Sequence, residues 1–247
     1  MIPRLLTSLQ HPLVKKLVKL RESRDFRREE GTVLLVGETV IQEIAPHCQI
    51  KTLISTKPLP LKAATSELAS PEVLQKIIGH KTDDLVAAEI VAPSFNDLKN
   101  CRLIVLLDGL SDPGNVGTIF RTAIALGWEG ILVIEGSADP YNDKALRASR
   151  GAPLLLPWKE ISWQDAEAFV KESHPQILFA DIKGTPLSKM KFSAPLLLIL
   201  GHETRGPSPD ARSLGEPITI PMKGAMESLN VASAASILLY HIAEELS

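Results

Sequence analysis

The feature that most constrains the fold is a change of texture at Cys101. From there on, nearly continuous Val, Ile and Leu runs recur at Leu103–Leu107, Gly130–Ile134, Ile177–Ala180, Leu196–Leu200 and Ile218–Ile220. Strands that are apolar on both faces belong to a parallel sheet covered on both sides. Helical patterns fit between them at Val116–Leu126, Asp143–Ala148 and Trp163–Glu172, and a long final helix runs from about Leu229 to Glu245. Strand and helix in alternation make this half an α/β domain with a mostly parallel sheet.

The first half reads differently. Residues 1–96 are rich in Lys, Pro and short apolar segments. Thr32–Val36, Ile50–Ser55 and Val86–Val91 read as strands and Thr39–Ala45 as a helix. Ser70 and Pro71 open a further helix to Ile78, serine capping and proline at the first helical position. The polar stretch Ala92–Asn100 reads as a linker, so the expected domains are residues 1–96 and 97–247.

A chain of 247 residues, 45% hydrophobic and 23% charged, has material for two ordinary cores. With a net charge of −2, any nucleic-acid binding has to come from a local patch. Cys48 and Cys101 lack a CxxC partner, and the six histidines show no ligand spacing. Neither a disulfide framework nor a metal site is expected. No apolar run is long enough for a membrane span and no signal peptide is legible, so the expected location is the cytoplasm.

Three segments carry chemistry. In the first, LDGLSDPGNVGTIFRTAIALG (107–127), a strand ends at Asp108, a glycine-rich turn follows, and a helix starts near Asn115 and stops at Gly127. Gly109 and Gly114 have phosphate-loop spacing, but the next residues are Asn115 and Val116 rather than Lys and Ser/Thr, which excludes an NTPase. No GxGxxG is present, so the dinucleotide fingerprint is absent as well. Val116, Ile119, Phe120, Ala123 and Ile124 share the apolar face, leaving Asn115, Thr118, Arg121 and Thr122 off it. Taken alone, Arg121 is a solvated helix residue or a phosphate ligand.

In the second segment, PLLLILGHETRGP (195–207), a strand runs directly into Gly201, then Glu203 and Gly206. Ligands of parallel sheets sit beyond such carboxyl ends, and a glycine there permits close approach. Glu203 reads equally as a loop carboxylate or a helix cap. The third, PITIPMKGAMESLNVASAA (217–235), has a short strand and a loop, with Ser228 or Asn230 starting the last helix.

Together these segments resemble the three motifs of the SpoU (TrmH) family of RNA ribose methyltransferases, in the SPOUT superfamily. The matches are N-x-G-x-x-x-R-T-A at Asn115–Ala123, L-G-x-E-x-x-G at Leu200–Gly206 and I-P-M-x-G-x-x-x-S-L-N-V at Ile220–Val231. Arg147–Ala152 (RASRGA) resembles a further family segment, and residues 5–45 more loosely resemble its substrate-binding domain. There Gly37-Glu38 stands where the family has Glu-Gly. The resemblance implies a C-terminal parallel-sheet domain with a deep trefoil knot, preceded by a small α/β RNA-binding domain. It also implies a homodimer, rRNA or tRNA as substrate, and S-adenosylmethionine held at Leu200, Gly201, Ile220, Met222 and Leu229. Asn115, Arg121, Glu203, Ser228 and Asn230 become the catalytic candidates. An arginine keeps its proton, so the expected part for Arg121 is phosphate clamp and charge stabiliser. Asn115 is expected to orient Arg121 or the ribose, and Glu203 to hold the arginine fork or a substrate hydroxyl.

Residues 1–28 concentrate Arg4, Lys15, Lys16, Lys19, Arg21, Arg24, Arg27 and Arg28 against Glu22 and Asp25. Within this cluster Lys15, Lys16, Arg24, Arg27 and Arg28 are the candidate RNA-phosphate ligands; the competing reading is a solvated helix face. Two rival functions stand beside ribose methylation. One is an RNA-binding protein of the same fold without catalysis, and the other is methylation of a base nitrogen.

Overall fold

The computed structural model describes residues 5–95 and 97–247; Arg4 of the basic cluster and Asn96 of the linker lie outside the described residues. In chain order the elements are α1 (Pro12–Glu22), α2 (Arg24–Glu30), β1 (Thr32–Val36), α3 (Glu38–Ile44), β2 (Ile50–Ser55), β3 (Thr65–Leu68), α4 (Pro71–Ile78), β4 (Val86–Val91), β5 (Leu103–Asp108), α5 (Pro113–Ala125), β6 (Gly130–Ile134), α6 (Asp143–Ser149), β7 (Trp158–Ile161), α7 (Trp163–Ser173), β8 (Gln176–Pro186), β9 (Leu196–Gly201), α8 (Pro209–Leu214), β10 (Glu216–Thr219) and α9 (Val231–Glu245). The chain divides into two compact units, Met1–Ser94 with Tyr141–Leu155, and Phe95–Pro140 with Leu156–Ser247.

The first unit is built on a four-stranded sheet of order β1-β4-β2-β3. β4 pairs antiparallel with β1 and β2, and β3 joins β2 in parallel. Alternation along the strands gives it two apolar faces. Leu34, Ile54 and Ala87 meet Val14, Leu17 and Leu20 of α1 and Val73, Leu74 and Ile77 of α4. On the other face Val33, Leu35, Leu53 and Ile90 meet Ile41 and Ile44 of α3 and, from far along the chain, Leu146 and Leu154. The segment 141–155, placed by sequence in the second domain, therefore completes the core of the first. Its turn is held by Arg150 in the left-handed region (φ 53°), whose guanidinium pairs with Glu43 at 2.6 Å.

One polar cluster sits inside this unit. Glu89, 1% exposed, receives Lys16 Nζ at 2.6 Å, Thr32 Oγ1 at 3.1 Å and Thr52 Oγ1 at 3.0 Å, with Lys51 Nζ at 3.4 Å. Buried charge is tolerated only when paired and hydrogen-bonded in this way.

The second unit is a six-stranded sheet of order β10-β8-β9-β5-β6-β7. Every pairing is parallel. Ile104, Leu106, Leu132, Leu197 and Ile199 face one core with Ala166 and Ala211. α5 and α9 bury Val116, Ile119, Phe120, Leu238 and Leu239 completely or nearly so. Trp128 Nε1 donates to Leu239 O at 3.1 Å, tying α9 down.

One helix start differs from the sequence reading, and for another the structure chooses between the two candidates. α5 begins at Pro113, because Asp112 caps it by accepting from Asn115 N at 3.0 Å and proline needs no donor at the first position. α9 begins at Val231, capped by Asn230 rather than Ser228, with Oδ1 accepting from Ala232 N and Ser233 N. Gly127, at φ 75°, does terminate α5 as expected.

Candidate active site

The C-terminal ends of β5 and β9 lie side by side, Asp108 opposite Gly201. Gly109 turns the chain with φ 73°, its N–H donating to Ser137 Oγ at 3.1 Å, and Ser111 and Asp112 follow as the approach to α5. From β9 the chain doubles back through a bridge between His202 and Gly206. A Cβ on Gly201 would lie 2.3 Å from Pro207 N. The close approach expected at this glycine is thus made by the protein's own backbone. Asp108, 5% exposed, accepts from Ser208 N at 2.7 Å and pins the far end of the same loop.

Glu203 lies at the middle of that loop, and its carboxylate is fully engaged. Oε1 accepts from Asp112 N and Asn115 Nδ2, both at 3.1 Å. Oε2 accepts from Ser111 N at 3.2 Å and Ser111 Oγ at 3.1 Å. Burial alone would raise its pKa. The hydrogen bonds from its own N–H, Asp112, Asn115 and Ser111 outweigh burial and bring the pKa to about 2. Beyond it, Asn230 Nδ2 donates to Asn115 Oδ1 at 3.1 Å. Asn115, Glu203 and Asn230, one from each motif, therefore form one chain of hydrogen bonds.

Arg121 is not part of that chain. It lies exposed on α5, and among the described residues its guanidinium has no hydrogen-bond or ion-pair partner. The expectation that Glu203 holds the arginine fork is corrected, since the lone pairs of Glu203 are taken by the loop before α5. Asn115 likewise faces Glu203 and Asn230 rather than Arg121.

Residues 221–230 lead into α9 as an open loop, each of them exposed. Among the described residues, 222–229 make no hydrogen bond. Ser228 is in this stretch, as are Met222 and Leu229, each 39% exposed. Ile220 is half-buried just past β10. Leu200 is fully buried, so what it and Gly201 offer a ligand is main chain. Sequence reasoning missed Ser111, Asp112 and Asp108. Asp112-Pro113 is a legible capping pair; nothing in the sequence marks Ser111 or Asp108.

The basic candidates of the first unit divide. Lys16 is paired with Glu89 and with Glu30 at 3.0 Å. Arg27, 5% exposed, donates to Leu20 O at 2.7 Å and Arg21 O at 3.1 Å, at the C-terminus of α1. Both are corrected to internal partners, held by a buried carboxylate and by the carbonyls of a helix end. Arg21 caps α4 in the same manner, through Lys76 O and Ile77 O at 2.8 Å each. Lys15 and Arg28 are exposed, and Arg24 is half-buried.

Among the described residues no three His, Cys, Asp or Glu side chains gather into a metal-binding group, and no helix is long and apolar enough to cross a membrane.

The chain is similar in sequence and fold to known proteins. An uncharacterized tRNA/rRNA methyltransferase of Synechocystis is 34% identical over 95% of this chain and 92% of its own length. The 23S rRNA (guanosine(2553)-2'-O)-methyltransferase RlmP of Bacillus subtilis is 29% identical over 95% of this chain and 97% of its own. The crystal structure of the SpoU methyltransferase AviRb from Streptomyces viridochromogenes, in complex with the cofactor AdoMet, superposes with a TM-score of 0.85 at 27% identity, covering 95% of this chain and 98% of AviRb. The profile described as the SpoU rRNA Methylase family matches residues 102–240. On these matches, and on a site assembled from all three of its motifs, the chain belongs to the SpoU rRNA methylase family.

Proposed function

We propose that this protein transfers a methyl group from S-adenosylmethionine to a ribose 2′-hydroxyl of ribosomal or transfer RNA. The observation that carries this reading is the joined Glu203–Asn115–Asn230 chain at the carboxyl ends of a parallel sheet, with Arg121 exposed on the same helix as Asn115 and Asn230 ending an open loop. The names of the relatives favour 23S rRNA.

The loop fits the donor. Its unpaired backbone donors and acceptors suit the edge of a purine, and the uncovered Met222 and Leu229 suit a purine face. Main chain at Leu200, Gly201 and Ile220 would complete the hold. When bound, S-adenosylmethionine supplies an electrophilic methyl group on a sulfonium. Arg121, free and forked, grips an RNA phosphate and offsets the charge that develops on the ribose oxygen. Asn115 and Asn230 each retain one amide proton for the RNA, and Ser228 offers a hydroxyl. Glu203, ionised and fully hydrogen-bonded, acts as an anchor rather than as a proton acceptor.

The family fold supports two further readings. The C-terminal segment is a deep trefoil knot, which the parallel order β10-β8-β9-β5 and the close backbone packing at Gly184, Gly201 and Gly215 favour. The working unit is a homodimer, favoured by the outward stripe Ser233, Ile237 and Tyr240 on α9, where Ile237 is 41% and Tyr240 55% exposed. Free Cys48 and Cys101 suit the cytoplasm.

Incubating the protein with labelled donor and permissive rRNA, then resolving nucleosides by mass spectrometry, is expected to place the methyl on the ribose. A methylated base, or donor binding without transfer, overturns the reading. For the RNA interface, Lys15→Gln with Arg28→Gln is expected to weaken binding and shallow the salt slope by about 0.7 for each phosphate no longer neutralised. An unchanged slope removes α1 and α2 from the interface.

A further inference from the structure

We infer that Ser111 is a positioning residue, acting through Glu203 to hold the amides of Asn115 and Asn230 in one polarity. The inference rests on the methyltransferase reading of the site and deepens it.

An asparagine side chain is nearly symmetric in shape, so packing does not tell its oxygen from its nitrogen. An acceptor-only neighbour does. Asn115 turns Nδ2 to Glu203 Oε1 and leaves Oδ1 for Asn230 Nδ2, both at 3.1 Å. Turning the amide over would set oxygen against carboxylate oxygen and one amino group against the other. The polarity then passes on. Asn230 gives Nδ2 to Asn115 and so keeps Oδ1 for Ala232 N at 2.9 Å and Ser233 N at 3.3 Å. Each amide thereby keeps one amino proton uncommitted among the described residues, so that the pair can meet RNA as donors.

The relay is only as fixed as the carboxylate at its head. Glutamate has three rotatable bonds, and Glu203 lies on a turn. Of the four hydrogen bonds that reach it from other residues, two come from Ser111, through N–H and hydroxyl onto the same oxygen. Ser111 itself is exposed, and among the described residues its hydroxyl has no partner except Glu203. Its removal therefore leaves the core untouched and loosens only the head of the relay. Among the described residues Ser111 makes no hydrogen bond to Asn115 or Asn230, so its polar influence on them runs through Glu203.

The test uses the full-length protein. Ser111→Ala is expected to lower kcat about tenfold, the loss of one hydrogen bond to an ionised group. KM for RNA, donor affinity and thermal midpoint are expected to hold. Ser111→Thr, which restores the hydroxyl, is expected to return kcat to within about twofold of the parent. In a Glu203→Gln background, where the relay is already broken, Ser111→Ala is expected to add less than about twofold. Side-chain amide NMR of the ligand-free protein reads the relay without activity. The Asn115 proton facing the carboxylate should resonate downfield, move toward the free-asparagine position in Ser111→Ala, and return in Ser111→Thr. An Asn115 signal indifferent to Ser111→Ala, full kcat in that variant, or additive losses with Glu203→Gln overturns the inference. The NMR response in a protein that methylates no RNA supports the relay and counts against the methyltransferase reading alone.

Discussion

Arg121→Lys is expected to lower kcat by about two to three orders of magnitude, the effect of removing one preorganised donor from a developing oxyanion. Donor affinity and thermal midpoint are expected to stay at parent values. The reason is local. Arg121 is exposed on α5, and among the described residues it supports no carboxylate or carbonyl. Lysine keeps the charge, so long-range attraction of RNA survives. It lacks the planar fork that grips a phosphate with two parallel bonds. A loss confined to kcat fits an interaction made in the transition state, whereas a rise in KM at constant kcat would mark a ground-state RNA contact. Turnover on saturating permissive RNA, with calorimetry of the donor, separates the two. Near-normal turnover in the lysine variant removes Arg121 from the chemistry.

The second large effect falls on stability. Glu89→Ala is expected to destabilise the first unit by about 3–5 kcal/mol, because the buried hydroxyls of Thr32 and Thr52 would lose this acceptor and Lys16 would be left with Glu30 alone. For a chain of this size that lowers the melting transition of the unit by about 10 °C. The pH dependence has a definite sign. Burial pushes the Glu89 carboxyl up; hydrogen bonds from Lys16 and Thr52 and the charges of Lys16 and Lys51 outweigh burial, leaving its pKa below the ordinary 4.5. A carboxylate depressed in the folded state stabilises above its unfolded pKa and loses that contribution as pH falls through the folded value. Lys16 moves the other way, above 10.5, since its bonds to Glu89 and Glu30 overcome the burial that lowers it. Its contribution is therefore present below 10.5 and lost only above the raised value. Thermal melts taken down from neutral pH should show an acid limb that flattens in Glu89→Gln. A limb of unchanged steepness would assign acid sensitivity elsewhere.

What the sequence made legible follows from what burial writes into it. β5 is buried from Ile104 on and β9 along its length, and Leu103–Leu107 and Leu196–Leu200 are correspondingly unbroken apolar runs. Ser70-Pro71 and Gly127 are local backbone devices, and each does what its chemistry requires. β3 and β7 escaped because TSEL and WKEI lie at sheet edges and carry no apolar period. β8 was seen only where it is apolar; its second half runs through Asp181 and Lys183 to reach β10 beyond a register shift. Among the candidate site residues, the three motifs named Asn115, Glu203 and Asn230, which the structure joins, but did not give their contacts. The partners lie 88 and 115 positions apart, and whether a carboxylate meets an arginine or a backbone N–H is decided by a turn. The same holds for Arg27, which looks like any surface cation until the last carbonyls of α1 are placed beside it.

Leu146 and Leu154, which complete the second face of the first sheet, also set a schedule for synthesis. When residue 94 leaves the ribosome, Val33, Leu35, Ile41, Ile44, Leu53 and Ile90 are already made, but their covering segment is not. At the usual pace of translation the wait for residue 155 is on the order of several seconds. The strand and helix of the first motif, β5 and α5, emerge during that interval. The N-terminal unit is thus begun first and closed late, so a nascent chain paused before Tyr141 presents an apolar sheet face to chaperones.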